Sequence, residues 1–249
     1  MVKGMAPKKL ASFLIIGSKF DELLKSIEAV ISGQDATALS KLEFVLHLNS
    51  RDTTTLLNLS KLPHDKVSIR TLLSEPYQSI SFTFNKLAQV STGLYLVQWS
   101  EHIRFENQNW LQEFERQVAE DGSTVYSYWF SGLSRNFLEG DKERLRPWPY
   151  FTAHHRLLYD IVGYYCGKGG CHEFFYYLLA PIGLHKKIDS INLKSLVKLN
   201  EAPTGVDFKE IKWCQKKILS YVAKKQQATN LKKSYGQQAP QGQLQRAAV

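Results

Sequence analysis

Cysteine is scarce in this 249-residue chain: there are three, Cys166, Cys171 and Cys214, with no Cys-x-x-Cys pair. An odd count without that pair argues against a disulfide framework, although Cys166 and Cys171 could meet across a Gly-rich loop. Long apolar runs are missing too. None approaches the roughly 18 residues needed to span a bilayer. The opening stretch, MVKGMAPKKLASFLIIGS, has an apolar core of about six residues, below the roughly 7–15 of a secretory signal. It reads as a buried strand, which leads to the expectation of a cytoplasmic protein. Internal repeats, zinc-ligand spacings and phosphate-binding glycine loops are absent. Acidic residues are nearly absent from one region only: from Phe208 onward there are nine Lys/Arg and a single acid, Glu210. The net charge of +9 therefore belongs to that terminal segment, and the near-neutral remainder gives no reason to expect a nucleic-acid groove.

What is present suits a folded α/β domain. Apolar residues make up 43% and aromatics 12%, enough for a sizeable core. Residues 11–16 read as a first strand, and Phe20, Leu23, Leu24, Ile27, Val30 and Ile31 as one face of a helix over 20–32. Asp21 and Glu22 lie in its first turn, where the helix dipole favours acids. A second strand is expected at 42–48, a short helix at 53–62, a third strand at 67–72 and a helix at 79–90. Such alternation predicts a mostly parallel sheet flanked by helices. Further on, a helix is expected at 110–119, a strand at 125–130, and helices at 154–165 and 172–184. Residues 131–149 read as a long polar loop holding Arg135, Lys142, Arg144 and Arg146, of the kind that serves as a lid or binding loop. Three segments follow: a domain over residues 1–206, a basic amphipathic helix over 207–225 and a disordered tail over 226–249.

The stretch Thr92–Trp110 draws the most attention. Gly93 makes a turn, Leu94-Tyr95-Leu96-Val97 forms a strand, and the strand ends in Ser100-Glu101-His102 before Ile103-Arg104-Phe105 resumes the alternation. Ligands bind at the carboxyl ends of strands in open α/β sheets. Glu101 and His102 are therefore the first candidates for chemistry.

The order of elements from Ser12 to Leu184 resembles a family 2-type glycosyltransferase of the GT-A fold. SFLIIGSKFDELLKSIEAV resembles the family's opening strand and nucleotide-contacting loop, with Gly17 and Ser18 at its exit. LEFVLHLNSRDTTTLL resembles the second strand, with Asn49 and Asp52 at the places near the nucleotide base. FTFNKLAQVSTGLYLVQWSEH resembles the segment leading to the family's acidic metal motif; its places are filled by Asn85, Ala88, Gly93 and Ser100-Glu101-His102. YFTAHHRLLYDIVGYY followed by HEFFYYLLAPIGL resembles the acceptor side, with Glu173 at the place of the catalytic carboxylate. The metal motif departs from the family, where it holds two or three aspartates.

The resemblance implies a chemistry. A divalent cation, Mn²⁺ or Mg²⁺, held by Glu101 and His102 would neutralise the diphosphate leaving group of a nucleotide-sugar donor, a UDP-sugar first among them. Glu173 would take the proton from the acceptor hydroxyl. Gly17, Ser18, Asn49, Asp52, Asn85 and Ser100 would contact the donor. Trp129 and Trp148 would stack on a saccharide or lipid-linked acceptor, and Arg156 would clamp an anionic group on it. Simpler readings stand beside these. Glu101 and His102 suit an exposed strand end, Glu173 suits a helix start, and His154, His155 and Arg156 suit a first-turn polar cluster. His172 and His185 read as structural or solvent-facing. The alternative for the whole chain is a glycosyltransferase-like binding protein that has lost turnover. The terminal helix reads as packed with a solvated face, or as attracted to an anionic membrane surface.

Overall fold

Strand β1 (Lys9–Ile16) is apolar on both faces, so it can only sit inside a covered sheet. In the computed structural model, which describes residues 9–17, 19–75, 79–122, 124–139, 142–147, 151–164, 171–196 and 207–237, it pairs in parallel with strands on both sides. Helix α1 (Phe20–Ile31) and the single turn α2 (Ala36–Ser40) lead to β2 (Leu42–Asn49). The short α3 (Thr53–Leu57) and a 3₁₀ turn lead to β3 (Ser68–Ser74), and α4 (Ile80–Val90) to β4 (Gly93–Trp99). Strands β3, β2, β1 and β4 are parallel neighbours in that order, as the alternation of elements predicted.

The second half is mixed. Strand β5 (Ile103–Phe105) precedes α5 (Trp110–Asp121) and β6 (Ser127–Ser131). Residues expected to form a polar loop instead form a hairpin, β7 (Ser134–Glu139) with β8 (Lys142–Pro147), paired over six positions. The stretch expected to be helical from 154 begins as β9 (Ala153–His155), antiparallel to β4, and turns helical only as α6 (Arg156–Val162). Helix α7 (Cys171–Leu179) and a 3₁₀ turn lead to β10 (His185–Ser195), a strand the hydrophobic pattern did not announce. Its lysines and asparagine interrupt the apolar alternation. The terminal helix α8 (Phe208–Gln237) passes the expected end at Lys225 and runs on into the stretch expected to be disordered.

The full order is β3-β2-β1-β4-β9-β6-β10-β5. In a flat sheet β5 would lie four ladder steps, about 19 Å, from β4. The four residues from Trp99 to Ile103 reach at most about 14 Å. The sheet must therefore curl, and it does: Phe105 of β5 stacks on Trp99 of β4 with ring centroids 4.8 Å apart. Gly132 permits the crossing of β6 beneath β10. Its φ is +93°, and a Cβ there would stand 2.2 Å from the Leu193 carbonyl oxygen.

Alternate residues of β1 feed two cores. Phe13 and Ile15 join Leu23, Phe44, Trp99, Trp110 and Phe114 beneath α1 and α5. Leu14 joins Leu87, Leu96, Leu158, Phe174, Leu178 and Ile218 beneath α4, α6, α7 and α8. Each such buried side chain contributes roughly 1.5–3 kcal/mol.

A polar lock closes the amino end of the central strands. Glu43, fully buried, accepts from Ser12 Oγ at 2.5 Å, from Thr92 Oγ1 at 3.0 Å and from the Thr92 amide. Ser12 Oγ in turn accepts from the Gly93 amide at 2.7 Å. Gly93 is demanded by this closeness, because a Cβ would lie 2.4 Å from Ser12 Oγ and 2.6 Å from its backbone nitrogen.

Candidate functional site

The carboxyl edge of the parallel strands is where side chains capable of chemistry converge. Strand β4 delivers Ser100-Glu101-His102 in a tight turn, closed by the Ile103 amide donating to Ser100 O at 3.1 Å and the His102 amide to Ser100 Oγ at 3.3 Å. The buried Ser26 of α1 ties this turn down. It accepts from Trp99 Nε1 at 3.1 Å, and its hydroxyl lies 3.4 Å from the Ser100 carbonyl. Arg104 donates to the carbonyls of Glu101 and Ile103 at 2.6 and 2.7 Å.

Glu101 is 5% exposed. His102 stands between two carboxylates: its Nδ1 is 3.3 Å from Glu22 Oε2 and its Nε2 is 3.8 Å from Glu101 Oε1. One ligand atom from each of Glu22, Glu101 and His102 lies within 4.8 Å of the others. Two carboxylate oxygens and an imidazole at that spacing can close on one divalent ion with modest side-chain movement. The nitrogen ligand shifts preference from Mg²⁺ toward Mn²⁺. Glu22 was missed in the sequence, where its place in the first turn of α1 had a sufficient explanation in the helix dipole. The signal that could have found it is positional. Only three residues separate the end of β1 from the start of α1, so its first turn shares the carboxyl edge of the sheet with the end of β4.

Three of the other expected donor contacts, Gly17, Asn49 and Asp52, border the same edge. Gly17 follows β1, with its amide on His47 O at 3.0 Å, and a Cβ there would press on Leu48 at 3.1 Å. Asn49 ends β2 and its Oδ1 accepts from the Arg51 amide at 2.9 Å; Arg51 then pairs with Glu75 beyond β3 at 2.8 Å. Asp52 caps α3, accepting from the Thr55 amide at 3.0 Å and from its hydroxyl, and these bonds hold its carboxyl below the usual range. Asn85 lies within α4 and donates to Ser81 O at 2.8 Å. Ser18 and Trp148 lie outside the described residues. Glu173 is the third residue of α7, and its side chain is likewise outside them. Trp129 sits half-buried on β6, parallel to His185 at 6.3 Å, with Lys187 over its ring at 5.2 Å; Tyr176 of α7 completes the row.

Arg156, expected to clamp an anionic group on the acceptor, makes its contacts at the other end of β4. Its Nε donates to Gly93 O at 2.8 Å, and its Nη2 and Nη1 reach Ser91 Oγ and Ala88 O at 2.6 and 3.5 Å. It fastens the start of α6 to the amino end of β4, roughly 20 Å along a seven-residue strand from Glu101. Arg156→Lys is expected to destabilise the fold by about 2 kcal/mol, read as a lowered urea midpoint, while leaving any acceptor KM unchanged.

The histidines near β9 belong to the packing. His154, fully buried, shares Ser127 Oγ with His185 (2.7 and 3.3 Å) and contacts Thr152 Oγ1, with Phe175 stacked on its ring at 3.9 Å. Burial pushes its basicity well below the ordinary value, and that of His185 down to about 4. His185 Nε2 is buried without a hydrogen-bond partner among the described residues, so an imidazolium there would hold an unmet donor. His155 is lowered to about 4 by burial, with a smaller effect from Lys225, and its Nδ1 must stay unprotonated to accept the Leu157 amide at the start of α6. In each case the unfolded chain binds the proton first. Stability is thus full above about pH 6.5 and is lost as pH falls toward 4, by up to about 3 kcal/mol for His185. Urea midpoints measured across this interval should fall, and His185→Leu should flatten the dependence.

No protein-family model and no curated protein matches the sequence. Solved structures do match the fold. The S. aureus TarS 1–349 structure in complex with UDP-GlcNAc superposes with a TM-score of 0.58 at 9% identity, over 84% of this chain and 66% of that one. The mannosyltransferase PcManGT from Pyrobaculum calidifontis, in complex with GDP-Man and Mn²⁺, gives 0.58 at 12% identity, over 76% and 58%. GalNAc-T7 with UDP, GalNAc and Mn²⁺ gives 0.56 at 13% identity, over 78% and 45%. This chain thus spans less than two thirds of the length of each. The curled eight-stranded sheet with helices on both faces is the GT-A fold of glycosyltransferases.

Proposed function

We propose that this chain is a family 2-type glycosyltransferase, transferring a hexosyl group from a nucleotide-diphosphate sugar, a UDP-sugar first among them, to a saccharide or lipid-linked acceptor. We place it in cytoplasmic glycan or polysaccharide assembly. The observation that carries the reading is the convergence of Glu22, Glu101 and His102 at the carboxyl edge of the parallel half of a GT-A sheet. Ser100-Glu101-His102 is read as a variant of the family's metal motif, completed from α1 by Glu22.

In this reading Glu22, Glu101 and His102 hold the cation, which when bound supplies charge neutralisation to the departing diphosphate. Ser26, Trp99 and Arg104 fix the turn so that little reorganisation is needed. Gly17 and Ser18 let the donor approach the exit of β1, Asn49 and Asp52 border the nucleoside, and Asn85 and Ser100 contact the donor. Glu173 accepts the proton of the attacking hydroxyl, and Trp129 and Trp148 stack on the acceptor sugar.

A second reading, a binding protein without turnover, is favoured by one observation: both ring nitrogens of His102 already face carboxylates, so the three side chains are grouped by their contacts with one another. Thermal unfolding with UDP or GDP, each with and without Mn²⁺ or Mg²⁺, separates the two. A ligand at a hundredfold excess over its Kd stabilises by about 2.7 kcal/mol. A rise in Tm that requires both nucleotide and metal is expected. No rise with any pair would move the assignment to the binding protein.

A further inference from the structure

Helix α8 carries a face that the transfer chemistry does not use. Its inward stripe, Ile211, Cys214 and Ile218, is buried against α6 and α7. On the outward side Phe208, Lys209, Lys212, Trp213, Lys216, Leu219 and Lys224 recur at helical spacing and are all exposed. Phe208, Trp213 and Leu219 are 59%, 51% and 49% exposed, which is unusual for three large apolar side chains on one helix. Lys217 stacks over Trp213 at 3.6 Å. Glu210, the one acid of α8, is half-buried and faces Tyr164 on the opposite side. Asp160 of α6 borders the groove beside α8 but is outnumbered there by Lys216, Lys217 and Lys224. The helix continues with Lys232 and Lys233.

We propose that this outward face of α8 docks the protein on an anionic lipid bilayer. Charge complementarity selects the partner: four lysines and no acid on the exposed face match a surface of phosphate headgroups. The interleaved apolar side chains select a bilayer over a nucleic acid. Phe208, Trp213 and Leu219 can enter the headgroup boundary while the lysine stems lie along it with their ammonium groups in water. No helix among the described residues is long and apolar enough to cross a membrane, so the contact is peripheral. It is independent of the proposed transfer reaction and is tested without donor or metal.

The test is co-sedimentation of the full chain with vesicles of phosphatidylcholine alone, or with a minority of phosphatidylglycerol added. Pelleting is expected only with the anionic vesicles, and raised salt should release it. Each lysine near the surface is worth roughly fivefold in partition, so Lys212→Glu/Lys216→Glu/Lys224→Glu should weaken binding by on the order of a hundredfold or more. Trp213→Ala should weaken it without altering its salt dependence. All four side chains are exposed, and an unchanged melting temperature would show that the variants remain folded. Equal pelleting with neutral vesicles, no pelleting with either, or wild-type binding by the triple variant would overturn the proposal. So would binding to a DNA duplex that the anionic vesicles fail to match.

Discussion

Glu101→Gln is expected to reduce glycosyl transfer by at least about a hundredfold while leaving the fold intact. The substitution keeps the shape of a side chain that is 5% exposed and removes only its charge, so a collapse of structure is not the anticipated cause. The sharper readout is metal dependence. In the wild type, Mn²⁺ should raise the melting temperature in the presence of the nucleotide, and in Glu101→Gln that increment should vanish. Without metal the nucleotide should affect variant and wild type alike, because the residues assigned to the nucleoside, Asn49 and Asp52, lie at the end of β2 and at the cap of α3. Glu22→Gln should produce a weaker version of the same pattern, about tenfold. A Glu22 variant indistinguishable from wild type in metal titration would reduce the site to the two residues of the β4 turn.

Trp99→Ala should be the most damaging single change to stability among the residues around the site, at about 3–5 kcal/mol. Its ring stacks on Phe105 at 4.8 Å and meets Phe13 edge-on at 5.2 Å, while its Nε1 donates to Ser26. Losing it opens a cavity at the place where β5 folds back over β4 and frees the hydroxyl that holds the Ser100 turn. A typical domain has only about 5–15 kcal/mol in reserve. Trp99→Phe supplies the measurable comparison: it retains most of the packing but not the Ser26 hydrogen bond. It should melt only modestly lower and still lose metal affinity, since Glu101 would no longer be held beside His102.

The parallel half of the fold was legible because its inner strands β1, β2 and β4 are buried on both faces. Ala11, Phe13, Leu14 and Ile15 have no solvent-facing position to break the apolar run, and α1 and α4 carry clear one-sided stripes. The mixed half was opaque for a matching reason. β10 alternates buried Ile188, Ile191 and Leu193 with Lys186, Lys187, Asp189 and Asn192, and its register shifts between Ile188 and Asn192, so no single period describes it. The β7–β8 hairpin is rich in charge and pairs only with itself, leaving no burial signal to read. At the site, Glu101 and His102 could be found because they are adjacent and interrupt a strand. Glu22 could not, since it is about 80 residues away and its conjunction with them exists only in three dimensions. The contacts of Arg156 could not be read from the sequence, because a guanidinium bound to three backbone and hydroxyl oxygens has the same sequence signature as one that awaits a phosphate.

The end of β10 has a kinetic consequence. The Leu196 amide donates to His102 O, and the Glu106 amide to Asn192 O, both at 2.9 Å, while Leu193 pairs with Phe105. The backbone just beyond the candidate ligands is therefore held by residues some ninety positions later in the chain. Contacts of such long sequence separation form slowly, since the ordering cost of closing the loop precedes their reward. On a ribosome the four parallel strands would all have emerged long before this clasp could close. The Glu101-His102 turn would acquire its final geometry only after residue 196 has emerged, which makes the ordering of this turn a late event in folding.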